Sequence, residues 1–188
     1  KEFPSLENIR GAVDFSMQQL RTENLRVQFL GGESVLSGGW GEAAQRLQAQ
    51  GTVSVVGLSQ LLGTQAALPL TGQARYDAQL VPTKQKGYEA TLTSTLEGLA
   101  VNLPAPLGKA AQGRMPLTLQ WSALPVKTEF LQSVSFNLGN LLKARFERPA
   151  NARPSPYFTR GAIVMGELAQ LPRSGLALDL NLEKIDVE

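Results

Sequence analysis

Apolar side chains fall on every second position along most of this 188-residue chain, and that period admits few folds. Successive side chains of a β-strand point to opposite faces, so alternation marks a sheet with one oily and one wet surface. The purest stretch is Leu176, Leu178, Leu180 and Leu182, interleaved with Ala177, Asp179 and Asn181. Leucines gathered on one face have to be covered by something.

The same pattern can be followed from end to end. Val13, Phe15 and Met17 alternate, as do Leu25, Val27 and Phe29 after a polar break, and both sets read as half-buried strands. Gly31-Gly32 and Gly38-Gly39 read as turns on either side of a short strand through Val35. Neither pair carries the lysine and hydroxyl of a phosphate-binding loop. Leu47, Ala49, Gly51, Val53 and Val55 keep period two, which predicts a strand over residues 45–56. Leu58-Ser59-Gln60-Leu61-Leu62, closed by Gly63, predicts one short helix.

The clearest hairpin pairs Ala74, Tyr76, Ala78 and Leu80 with Tyr88, Ala90, Leu92, Ser94 and Leu96 across the polar turn Lys84-Gln85-Lys86-Gly87. At Gly98 the parity flips, and the apolar positions become Leu99, Val101 and Leu103. One extra residue at a glycine is what a β-bulge inserts, so a bulge is expected there. Pro104 and Pro106 then end the strand. Alternation resumes through Met115, Leu117, Leu119, Trp121 and Ala123, through Val134, Phe136 and Leu138, and through Leu142, Ala144 and Phe146. Residues 148–156 read as a loop, and two further strands over 158–168 and 174–187 bring the total to about ten. No segment is long enough for the helix of a βαβ crossover, so the fold is all-β, mostly antiparallel, and an extended or rolled sheet.

Composition narrows function more than fold. The chain has no cysteine and no histidine, which removes the commonest zinc ligands, the cysteine nucleophile and every histidine-based triad. A net charge of +2, with Lys and Arg spread along the chain, gives no nucleic-acid patch. No apolar run approaches the ~20 residues that span a bilayer. With 43% apolar residues, a compact fold of this length would bury roughly 70% of its unfolded surface. Asp179, Glu183 and Asp186 lie near one another, yet Asp179 and Glu183 alternate with leucines on a solvated face, and a glycosidase pair has no positive support.

One motif is sharper than the rest. Gly98-Leu99-Ala100-Val101-Asn102-Leu103-Pro104-Ala105-Pro106-Leu107-Gly108-Lys109, followed by Met115-Pro116-Leu117, resembles the signature of the YhdP branch of AsmA-like proteins. Leu30-Gly31-Gly32-Glu33, Leu70-Thr71-Gly72 and Leu171-Pro172 with Gly175-Leu176 resemble further family segments in the right order. The resemblance implies an internal fragment, residues 1–188, of a periplasmic body tethered to the inner membrane of a Gram-negative bacterium by an anchor before Lys1. Sub-modules 1–124 and 125–188 are conceivable within it. It implies a strongly curved sheet, forming a groove or open sandwich, in which phospholipid travels between inner and outer membranes. It carries no catalytic motif, no cofactor and no metal.

On that reading the groove is lined by Leu92, Leu96, Leu99, Val101, Leu103, Leu117, Leu119, Leu176, Leu178 and Leu180, with Lys109 as a headgroup contact. The plain alternative for Lys109 is a solvated residue after a turn. The alternatives for the whole are a closed β-sandwich serving as spacer or docking module, and a carbohydrate-binding or carbohydrate-cleaving β domain.

Overall fold

A computed structural model of the chain describes residues 5–41, 45–62, 68–85, 87–126, 129–149, 158–167 and 170–180. The strands are β1 (Glu7–Arg10), β2 (Asp14–Phe15), β3 (Leu20–Phe29), β4 (Gly32–Trp40), β5 (Gln45–Ser54), β6 (Leu70–Pro82), β7 (Tyr88–Ser94) and β8 (Leu99–Val101). They continue with β9 (Leu117–Val126), β10 (Glu129–Leu138), β11 (Leu142–Pro149), β12 (Arg160–Val164) and β13 (Gly175–Asp179), and the helix α1 spans Val55–Leu62. All 13 strands belong to one sheet, in the order β1-β3-β4-β5-β6-β7-β9-β10-β11-β12-β13, with β2 on β3 and β8 on β6. Neighbours are antiparallel except β12 and β13, which run parallel. The first and last strands do not meet, so the sheet is open. It runs through the whole described chain, and Leu124 falls inside β9.

The one-residue excess expected at Gly98 is present, but as a break between two strands rather than inside one: β7 ends at Ser94, residues 97–98 turn, and β8 resumes the pairing with β6 at Leu99. Five steps along β6, from Asp77 back to Gly72, stand opposite six along the other side, from Thr93 to Leu99. Gly98 has φ of 95°, a conformation open to glycine at little cost. The flip returns Leu99 to the apolar side, where it is buried.

Three expectations need correction. The helix begins at Val55 rather than Leu58, because Ser54 caps it: its hydroxyl accepts the Gly57 N–H at 3.2 Å. The predicted strand accordingly ends at Ser54. Gly38-Gly39 is not a turn but lies inside β4, at positive φ, opposite Thr22 and Arg21 beside a register shift in the β3–β4 pairing. Val13, Phe15 and Met17 are not half-buried: they sit at the sheet's first edge, Phe15 81% and Met17 103% exposed. The short strands β1, β2 and β8 raise the count above ten. Leu182, Gly63 and most of the 148–156 loop lie outside the described residues.

Among the described residues one tight hydrophobic cluster forms, and it lies at one end of the strands. Leu30, Val53, Ala74, Tyr76, Leu96, Leu99 and Met115 are buried there, with Leu58 of α1 and Leu141 of the β10–β11 turn packed against them. Residues 95–116 build much of this cover. Apart from β8, which pairs with the start of β6, they stand off the sheet between Ser94 and its partner Leu117, with the Met115 N–H donating to the Thr95 carbonyl at 2.9 Å. Elsewhere the sheet is a single layer among the described residues.

Candidate functional site

Residues paired across strands share a face, so the pairing register shows what each side of the sheet presents. One row across the middle reads Leu25, Leu36, Ala49, Ala78 and Leu92, then Leu119, Phe136, Ala144, Ile163 and Leu178. It crosses ten strands without a polar residue. At a strand spacing of about 4.8 Å it is roughly 43 Å long. The next row, two residues along each strand, reads Leu47, Leu80, Ala90 and Trp121, then Val134, Phe146, Gly161 and Leu176. It too is unbroken. The Phe146 ring is further supported by Phe158, with centroids 5.0 Å apart.

These two rows form an apolar strip that no second sheet covers among the described residues. From Leu47 to Ile163 its side chains are half-buried, and Ala144 wholly so, by one another and by the cluster at the strand ends. At β13 the shielding fails, and Leu176 and Leu178 are 56% and 60% exposed.

The strip has a wall on one side. There Tyr76 lies over Gly51 to reach Ser34, the two hydroxyls meeting at 2.7 Å across the intervening strand. A Cβ on Gly51 would stand 2.2 Å from the Ser34 oxygen, so only glycine leaves room for that contact. Burial raises the Tyr76 phenol above its usual range, and the Ser34 hydrogen bond pulls it partly back. Behind this row stand α1 and the 95–116 excursion.

Lys109 holds that excursion together. Its ammonium donates to the carbonyls of Leu96 at 2.8 Å, Gly113 at 2.9 Å and Ala110 at 3.0 Å, which occupies all three of its N–H groups. Its backbone bridges Val101 in both directions. Burial lowers the ammonium from its usual range and Glu97 draws it back up. Lys109, partly exposed, therefore spends its donors on carbonyls of its own segment rather than on the strip.

The opposite face is mostly polar, although Leu124, Leu131 and Pro149 pair across it and Ala162 and Val164 are buried on it. Two shallow depressions of ≈ 420 and ≈ 400 Å³ lie there, the first between Gln48, Gln50, Asp77, Gln79 and Thr93, the second between Gln120, Ser122, Ser133, Ser135 and Arg145. On this face Glu147, 3% exposed, takes Arg145 on one oxygen at 2.6 Å and Arg160 on the other at 2.6 and 3.0 Å. No three metal-binding side chains cluster among the described residues. Glu183 and Asp186, weighed with Asp179 as carboxylate partners, lie outside them.

The predicted lining residues separate into three places. Leu92, Leu117 and Leu119 lie on the apolar face, as do Leu176 and Leu178 at its far edge, with Leu180 just beyond β13. Leu96 and Leu99 are buried in the end cluster. Val101 pairs with Leu70, and Leu103 is exposed in the proline loop. The centre of the strip, from Leu47 and Leu80 through Trp121 to Val134, Phe136 and Phe146, is assembled by register across many hairpins. Its signal in the sequence was the shared alternation alone.

Among the described residues the chain is an open sheet with one continuous apolar strip. The chain belongs to the YhdP protein family, whose model matches residues 1–188, and with it to the AsmA-like envelope proteins. That family is not a known enzyme family. No curated protein and no solved structure matches the chain. Among the described residues no helix is long and apolar enough to cross a membrane.

Proposed function

We propose that this segment shelters the acyl chains of phospholipid on its apolar strip while the lipid passes between inner and outer membranes. The observation that carries the reading is the pair of unbroken apolar rows with no covering sheet. Each CH₂ removed from water contributes about 0.8 kcal/mol, so aliphatic contact alone holds a tail while leaving it free to slide. The contact is undirected and makes or breaks no bond. On this reading the segment works in the periplasm, joined to the inner membrane through another part of its protein. A sealed spacer would interlock these same leucines with a second layer, and the half-buried strip speaks against it.

The test is native mass spectrometry and lipid extraction on the purified chain. Wild type is expected to carry phospholipid, and a Leu119→Asn, Phe136→Asn double variant that still folds is expected to carry much less. Equal lipid in both, or none in wild type after exposure to phospholipid vesicles, overturns the reading.

A further inference from the structure

The two borders of the apolar face are chemically unlike. On the wall side the strip ends in Leu117, Leu138 and Leu142. Six residues back along the same strands, the row on the opposite side reads Tyr88, Ala123, Gln132 and Arg148, each paired with the next, and only β9 and β10 run on past it, by the pair Pro125 and Phe130. An amphipathic aromatic, an amide and a guanidinium along the edge of an oily surface is the composition of a lipid–water interface.

Arg148 stands out within that border. From β4 to β13 it is the one charged residue among the described strand residues that register places on the apolar face. Its Nε donates to the Gln132 Oε1 at 2.8 Å, which fixes the plane of the guanidinium. No carboxylate pairs with it among the described residues. It is half-buried, beside Phe146 and Val134 of the strip. A cation at the edge of an apolar surface, with its plane set by a neutral amide and no carboxylate on it among the described residues, is arranged for an anion that arrives attached to something greasy. A guanidinium meets a phosphate through two parallel N–H donors, which also sets the direction from which the rest of the ligand comes.

The distances suit a lipid. From Arg148 to Leu142 is six residues, or about 20 Å of strand. One leaflet of a bilayer gives its tails about 15 Å, half of the ~30 Å hydrocarbon core. A lipid whose phosphate sits at Arg148 lays its tails along β10 and β11, over Val134 and Phe146, then Phe136 and Ala144, and meets the wall at Leu138 and Leu142.

We propose that Arg148, oriented by Gln132, is a phosphate contact that anchors the headgroup of a phospholipid on the open border of the strip. This rests on the acyl-shelter reading and assigns the headgroup role to Arg148 in place of Lys109, whose donors are spent on carbonyls.

The experiment measures binding of lysophosphatidylglycerol to the full chain, beside monoacylglycerol of the same chain length and inorganic phosphate. Arg148→Gln is expected to weaken the lysophospholipid about tenfold or more, the loss of a charge-assisted pair. Monoacylglycerol, which has no phosphate, is expected to keep its affinity, and its binding shows that the variant is folded. Arg148→Lys is expected to fall between wild type and Arg148→Gln, because it keeps the charge and loses the fork. Equal weakening of both lipids by Arg148→Gln, or weakening of neither, overturns the Arg148 contact alone. Displacement of the lysophospholipid from wild type by inorganic phosphate at comparable concentration overturns the headgroup assignment in favour of a free-anion site. Failure of wild type to bind either lipid overturns the acyl-shelter reading and this one with it.

Discussion

Replacing Tyr76 by phenylalanine removes one oxygen from the wall beside the strip, and the structure sets what that costs. Tyr76 and Ser34 are 2% and 1% exposed, and each hydroxyl has the other as partner at 2.7 Å. Tyr76→Phe strands the Ser34 hydroxyl without water, and Ser34→Ala strands the phenol, each at about 1–3 kcal/mol. The double variant leaves neither oxygen behind, so it is expected to be no less stable than the worse single one. That is a coupling of about 1–2 kcal/mol, well above the ~0.5 kcal/mol within which independent sites add.

Urea unfolding of the four proteins, with the m-value held constant, measures the coupling. The cycle also has a pH signature. Burial raises the folded phenol above the value of about 10 that it has in the unfolded chain, so the unfolded chain gives up its proton first. The contribution is complete below pH ~10 and is lost as pH rises through the folded value, and Tyr76→Phe is expected to remove that part of the alkaline slope. Additive costs, or a slope unchanged in Tyr76→Phe, would refute the buried pair.

Other substitutions separate wall from strip. Leu99→Ala, at a site 3% exposed, is expected to cost about 2–5 kcal/mol in chemical denaturation, whereas Leu119→Ala on the half-buried strip costs about 1 kcal/mol. Similar costs would mean that the strip is an ordinary core. Lys109→Met keeps the aliphatic stem but removes three donors, so it is expected to lose about 2 kcal/mol and to expose residues 95–116 to limited proteolysis before the rest of the sheet. Glu147→Ala leaves Arg145 and Arg160 unpaired where both are partly solvated, at about 2 kcal/mol, and the loss is expected to persist in high salt because the carboxylate is buried.

The strands were legible because alternation is a local property: each needs only its own residues. The parity flip at Gly98 was legible for the same reason, since an extra residue is written into the stretch that carries it. Ser54 could have been read as a helix cap, yet Val55 and Val56 continued the β-branched run and drew the strand two residues too far. Gly38-Gly39 looked like a turn because two glycines are commoner in turns than in a strand beside a register shift.

The strip and its border were not legible, because they depend on register between strands far apart in the chain. Arg148 counts as the charged residue of an oily face only after its pairing with Gln132, and that of Gln132 with Ala123, is known. Lys109 was placed in the right segment with the wrong surroundings. Its three carbonyl partners are brought to it by a backbone path that alternation does not describe.

The contrast between the wall and the strip bears on how such a chain can change over generations. Residues 98–109 are tied by backbone hydrogen bonds, the turn at Gly98 and a tripod of carbonyls around one ammonium, so their letters are hard to exchange. On the strip no opposing layer dictates shape, and leucine, valine, phenylalanine or isoleucine serves equally well so long as the parity holds. Descendants of this sequence are expected to lose spelling on the strip first while keeping its rhythm, and an insertion inside a strand survives only in twos or beside a compensating bulge.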